Sequence, residues 1–234
     1  MRTFIAALFL TLAASPAFSQ ESEIVADRPG LADGSVTVGR GVAQLEAGVT
    51  REGDEELLTI PLLLRYGLTD RIELRLESDT FGISEDDNDI APVALGFKWR
   101  FRDGDVPLSI IANVQPPSGG GILRTSEFET EARLVSDIAL ANDFSLTPNV
   151  GVHFVEGGEA TAVFAASLEH PLGPLGAFID FESRIADGDT SMIIDGGFAW
   201  VVRPDTQLDL SAGVDVTGDQ YPDWFIGVGY SRRF

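Results

Sequence analysis

The residues whose type and spacing could do chemistry are charged side chains set two apart. Arg71, Glu73, Arg75 and Glu77 form one such run, Lys98, Arg100 and Arg102 a second, Glu129, Glu131 and Arg133 a third, and Asp180, Glu182 and Arg184 a fourth. Glu46, Arg65, Asp195, Asp209 and Asp215 fall on the same alternating face of their own stretches. Groups of this kind pair with one another or with a charged solute; by themselves they break no covalent bond. Catalysis has little to draw on. The two histidines, His153 and His170, lie in no Ser-His-acid pattern, so a lipid-modifying enzyme is a minor reading, and the absence of cysteine removes thiolate nucleophiles and disulfides. The carboxylates lack an EF-hand or other ligand spacing, so no catalytic residue, metal or cofactor is expected.

A spacing of two belongs to β-strands, whose side chains point alternately to opposite faces. Twelve segments of about ten residues show it, at 41–51, 57–67, 71–81, 91–102, 106–115, 127–140, 144–155, 160–170, 175–185, 191–202, 206–216 and 222–234. In the third, Ile72, Leu74 and Leu76 oppose Arg71, Glu73, Arg75 and Glu77; in the fourth, Leu95, Phe97, Trp99 and Phe101 oppose Lys98, Arg100 and Arg102. A soluble sandwich would alternate as well, so the period alone does not choose the solvent. The aromatics help to choose. Tyr66, Trp99, Phe101, Phe144, Trp200, Tyr230 and Phe234 gather at one set of segment ends and Phe81, Phe128, Phe154 and Trp224 at the other, as two interfacial girdles require. The fold class expected is an all-β, transmembrane, antiparallel up-and-down β-barrel of twelve strands, ten and fourteen being the neighbouring counts.

At 234 residues the chain suits one domain, and a formal charge of −21 excludes a role in gripping nucleic acid. Residues 1–19 read as a cleaved signal peptide that exports the chain, whose expected destination is the bacterial outer membrane: Arg2, an apolar core, then Ala17-Phe18-Ser19, with Gln20 the first mature residue. Residues 20–40 form a polar lead, either a periplasmic tail or a plug, and 41–234 the barrel. Short turns such as Gly67-Leu68-Thr69-Asp70, Asp103-Gly104-Asp105 and Ala141-Asn142-Asp143 would face the periplasm. The longer, acidic loops, with Glu85, Asp86, Asp87 and Asp89, would face outward, where they are either solvated or bridged by cations to lipopolysaccharide.

The final stretch, WFIGVGYSRRF, sets Trp224, Ile226, Val228 and Tyr230 on one face and Gly227, Gly229 and Ser231 on the other. It resembles the closing strand of outer-membrane barrels, which end in an aromatic; the resemblance makes Tyr230 and Phe234 an assembly signal and the barrel-assembly machinery a partner. Asp27-Arg28-Pro29-Gly30-Leu31-Ala32-Asp33, Gln44-Leu45-Glu46-Ala47-Gly48 and Tyr66-Gly67-Leu68-Thr69-Asp70-Arg71-Ile72-Glu73-Leu74-Arg75 together resemble the outer-membrane family labelled as phenol-degradation (MetA-pathway) transporters. That resemblance implies a barrel passing small, often aromatic, compounds, with no catalytic residues to carry over.

In a ring of twelve the third strand lies opposite the ninth, so a mainly basic wall would face a mainly acidic one. Two functions follow. A water-filled passage would let a small solute cross passively, oriented by the transverse field; a sealed barrel would use the same charges as structural ion pairs, in an envelope-interaction role without transport. The small face of the last strand, beside Gln44 and Glu46, is where a passage is expected. The sequence leaves the solute and the oligomeric state open.

Overall fold

The computed structural model describes residues 23–53, 57–78, 81–83, 88–217 and 221–234. The expected signal peptide and the acidic Glu85, Asp86 and Asp87 lie outside the described residues. Sixteen strands occur along the described chain: β1 (Ala43–Glu52), β2 (Leu58–Thr59), β3 (Leu62–Gly67), β4 (Ile72–Ser78), β5 (Phe81–Ile83), β6 (Asn88–Ile90), β7 (Ala94–Arg102) and β8 (Leu108–Gln115) come first. They are followed by β9 (Glu129–Val135), β10 (Ile138–Ala139), β11 (Ser145–Val155), β12 (Ala160–Leu172), β13 (Leu175–Ala186), β14 (Asp189–Arg203), β15 (Thr206–Asp215) and β16 (Trp224–Arg233).

Twelve of them close a ring. Antiparallel neighbours run β1, β3, β4, β7, β8, β9, β11, β12, β13, β14, β15, β16, and β16 returns to β1 in a register from Gln44 opposite Arg233 to Glu52 opposite Phe225. These are the twelve sequence segments, two of them broken into pieces. Pro61 follows β2 and interrupts the second segment before β3, since proline has no N–H to give a ladder. The sixth is broken at Ser136 and Asp137, beside Pro148 of β11, whose carbonyl accepts the Ser136 N–H at 3.2 Å. β5 and β6 form a small hairpin outside the ring, joined to β2.

The alternation sorts the wall as the period requires. Leu74, Leu95, Phe97, Val150, Phe164, Ile179, Leu210, Ile226 and Val228 are exposed on the outside, while Gln44, Glu46, Arg65, Glu73, Arg75, Lys98, Asp180, Asp195, Asp209 and Ser231 are buried within. A soluble protein exposing so continuous an apolar belt would aggregate; a hydrocarbon environment accounts for it. Tyr66, Trp99, Phe144, Trp200, Tyr230 and Phe234 are exposed at one rim, and Phe128, Phe154 and Trp224 toward the other. The turns at the first rim use left-handed residues where expected: Gly104 has φ 104°, Asn142 φ 58° and Asp143 φ 61°.

Candidate functional site

Residues 23–42 enter the ring from the rim that carries the C-terminus, climb into it, turn and go back to begin β1. At the rim the Ile24 N–H donates to the Pro204 carbonyl at 2.7 Å. On the return, the Thr37 hydroxyl donates to the Asp70 carbonyl at 2.8 Å and the Arg233 guanidinium to the Val38 carbonyl at 3.1 Å. This buried backbone belongs to no sheet, so its polar groups must find partners elsewhere. Inward side chains supply them. Glu46 accepts the N–H groups of Asp27 and Arg28 at 3.0 and 2.9 Å, Asp180 that of Leu31 at 2.9 Å, and Glu73 that of Val38 at 2.9 Å. Asn149 accepts from the Asp33 N–H and donates to its carbonyl, both at 3.0 Å, and Asp137 accepts the Ser35 N–H at 2.8 Å. Arg65 donates to the carbonyls of Val25 and Val36 at 3.0 and 2.8 Å, and Gln207 to that of Arg28 at 3.0 Å.

The ionic contacts are concentrated where the segment turns. Asp27 accepts from Lys98 Nζ at 2.8 Å and from Arg75 Nη1 at 2.5 Å, with Arg65 Nη1 at 3.5 Å. Asp33 pairs with Arg75 at 2.9 Å. Arg65 is itself held by Glu73 at 2.9 Å and Glu46 at 3.1 Å, all three fully buried, and Arg75 by Glu77 at 2.7 Å. Burial pushes the Asp27 carboxyl up, but Arg65, Lys98 and Arg75 outweigh it and hold the group well below the usual carboxylate range. For Asp33 burial prevails over the pull of Arg75, and its carboxyl is raised. On the opposite wall, Arg28 reaches Asp209 at 3.3 Å.

A second ionic tier joins β9 to β13 across the curve of the wall. Arg133 pairs with Glu131 and, at 2.8 Å, with Glu182; Arg184 pairs with Glu131 at 3.0 Å and Glu182 at 2.9 Å, and the Tyr221 hydroxyl donates to Glu182 at 3.0 Å. Here His153 meets Glu129 at 3.2 Å. His170 packs its ring on Phe144, 4.4 Å between centroids.

Several sequence-based expectations change. Arg71 is exposed and bonded to Asp103, Arg100 reaches the same Asp103 at 3.0 Å, and a register shift between Arg100 and Arg102 leaves Arg102 exposed. These three sit at strand ends, where a long side chain can turn to water rather than inward. Asp215 ends β15 and accepts from Thr217 at 2.7 Å and from the Tyr221 N–H at 3.3 Å, holding the following loop. The expected open space at the β1–β16 seam is filled: a Cβ on Gly48 would lie 2.5 Å from the Arg28 guanidinium and one on Gly229 2.6 Å from it. The glycines make room for Arg28, not for a passage beside β1. Asp137, Asn149 and Gln207 are anchors that charge periodicity did not single out. Their sign was a polar residue on the inward face, or, for Asp137, the strand break beside Pro148.

Of the cavities along the segment, two meet at its turn. The one toward the outer loops has about 530 Å³ and touches Asp27, Arg28, Gly30, Asp33, Arg75, Glu77, Pro92 and Glu129. The inner one has about 300 Å³ and touches Asp27, Arg28, Pro29, Gly30, Asp137, Thr147, Glu169, Phe178 and Gln207. Asp27, Arg28 and Gly30 border both.

Comparison with known proteins adds a lineage. Residues 26–234 match the family model described as "Putative MetA-pathway of phenol degradation". The chain is similar to the COG4313 outer membrane channel from Pseudomonas putida F1, with 14% identity and a TM-score of 0.63 over 86% of this chain and 98% of that one. It is also similar to the KdgM porin, at 10% identity and a TM-score of 0.61 over 82% and 99%, and to the NanC porin, at 9% identity and 0.59 over 80% and 98%. At these identities the likeness is one of fold, that of outer-membrane channel barrels. No curated protein sequence matches.

Proposed function

The chain belongs to the family of the MetA pathway of phenol degradation, and on that premise we propose that it sits in the outer membrane and lets small solutes, aromatic ones included, cross passively through a narrow charged lumen. The observation that carries this reading is the pair of cavities, about 530 and 300 Å³, divided by residues Asp27, Arg28 and Gly30. The wall is already a tube, and a short turn of backbone interrupts it. Polar and ionic side-chain contacts hold that turn, and such contacts can be exchanged for water at modest net cost, unlike a packed apolar core. The interior wall is polar while the exterior is apolar, the division a passage through lipid needs.

The sealed-barrel alternative draws on the same segment, read as a permanent closure. Planar-bilayer conductance and liposome swelling with phenol-sized solutes separate the two. The passage reading expects a small conductance from the wild-type protein and a larger one from Lys98→Ala and Arg75→Ala, which release Asp27. No flux of ions or solutes through any of the three proteins would leave the sealed barrel.

A further inference from the structure

We infer that the lumen contains a binding site for a small zwitterion, an organic carboxylate bearing a cationic group, and that Asp27 and Arg28 occupy it as a tethered stand-in. Successive side chains of the segment reach opposite walls: Asp27 supplies a carboxylate to Lys98 and Arg75, and Arg28 a guanidinium to Asp209. The wall's own pairing is incomplete without them. Arg65 and Arg75 have wall carboxylates of their own in Glu46, Glu73 and Glu77, at 2.7 to 3.3 Å, so Lys98 is the cation that Asp27 completes. Lys98 depends on the segment most, because its remaining wall contact, Glu73, is 3.9 Å away. Buried charges of this sort are tolerated when paired and hydrogen-bonded.

The acidic wall holds carboxylates that the segment leaves unpaired. Asp180 and Asp195 stand opposite each other on β13 and β14, 2% and 3% exposed. Among the described residues, both Asp195 carboxylate oxygens, Asp180 Oδ1 and Asp209 Oδ2 have no hydrogen-bond partner. Arg28 therefore satisfies only part of the capacity for a cation on that side. A free molecule carrying a carboxylate and an ammonium could answer both walls together, as charge-assisted hydrogen bonds favour. A carboxylate or an amine alone would answer one. As a solute site this rests on the passage reading. Its competitor is the segment itself, whose effective concentration on a short tether is on the order of millimolar, so a weakly bound solute at that level suffices to exchange with it.

Calorimetric titration of the refolded D27N/R28Q protein with 6-aminohexanoate, hexanoate and hexylamine tests the site. The zwitterion is expected to bind at least about tenfold tighter than either singly charged analogue; equal binding of all three, or none, overturns the inference. A second measurement keeps both residues in place. The chain has no cysteine, and Ala32 is 7% exposed, so A32C in the otherwise unchanged protein reports departure of the segment by its reaction with a maleimide. 6-Aminohexanoate is expected to speed that reaction several-fold and the two analogues to leave it unchanged. No acceleration by the zwitterion, or the same acceleration by all three, overturns the inference. Both experiments read binding, so their failure is distinct from a failure of conductance.

Discussion

Arg65 shows how much a single side chain carries in this lumen. Fully buried, it ties Glu46 of β1 and Glu73 of β4 to its own β3 and holds two carbonyls of the threaded segment. Arg65→Met would strand two buried carboxylates, and breaking such a pair from one side costs about 3–5 kcal/mol; urea unfolding in lipid vesicles should show a loss of that size, and a loss near zero would mean water replaces the guanidinium freely. Asp27 makes a pH prediction. A carboxyl whose docked value lies below its free value of 3.8 contributes fully above that value and loses its contribution as pH falls through the docked value. The ratio of the A32C labelling rates of the Asp27 and D27N proteins, in which the pH dependence of the thiolate cancels, should thus stay constant from neutral pH to pH of about 5; a ratio that falls to one within that window would mean Asp27 titrates there. Alternation placed Arg65, Arg75 and Lys98 inward from sequence alone. It failed for Arg71 and Arg102 because parity loses its meaning where a strand ends and a side chain can bend around the rim.

Among the elements, the strands and the threaded segment differ in what the sequence discloses. Every barrel strand carried a period of two, and even the pieces around Pro61 and Pro148 kept register with their neighbours, so twelve segments were legible. Residues 23–42 carry no period, since their backbone bonds go to side chains scattered over β1, β4, β11, β13 and β15. Nothing local to Asp27 distinguishes a docked carboxylate from a tail in water. Asp137→Ala should loosen the return limb, which it holds through Ser35, and raise A32C labelling without altering the heat-modifiable barrel band on gels; unchanged labelling would assign Asp137 to the strand break alone. The last strand makes a separate prediction. The Phe234 N–H donates to the Ala43 carbonyl at 2.8 Å and its ring is 71% exposed, so its deletion removes one seam bond but the whole terminal aromatic. Assembly in cells should fall while refolding in detergent continues; normal cellular assembly would end its role as a signal.

At the scale of the molecule, a basic wall of β3, β4 and β7 faces an acidic wall of β13, β14 and β15, and a strip of backbone passes between them presenting Asp27 to one and Arg28 to the other. The opposition of the walls followed from strand count and parity, both readable in the sequence. That they are bridged by the chain's own N-terminal segment required the three-dimensional path, because the bridging residues lie as far as 181 positions from their partners. On the passage reading this segment, rather than the wall, sets the resistance of the lumen. Single-channel conductance of the wild-type and D27N/R28Q proteins, each also carrying A32C so that departure of the segment is recorded on the same preparation, tests it most directly. A several-fold higher conductance in the variant, rising together with the labelling rate, is the result predicted. Fast labelling with an unchanged conductance would contradict it.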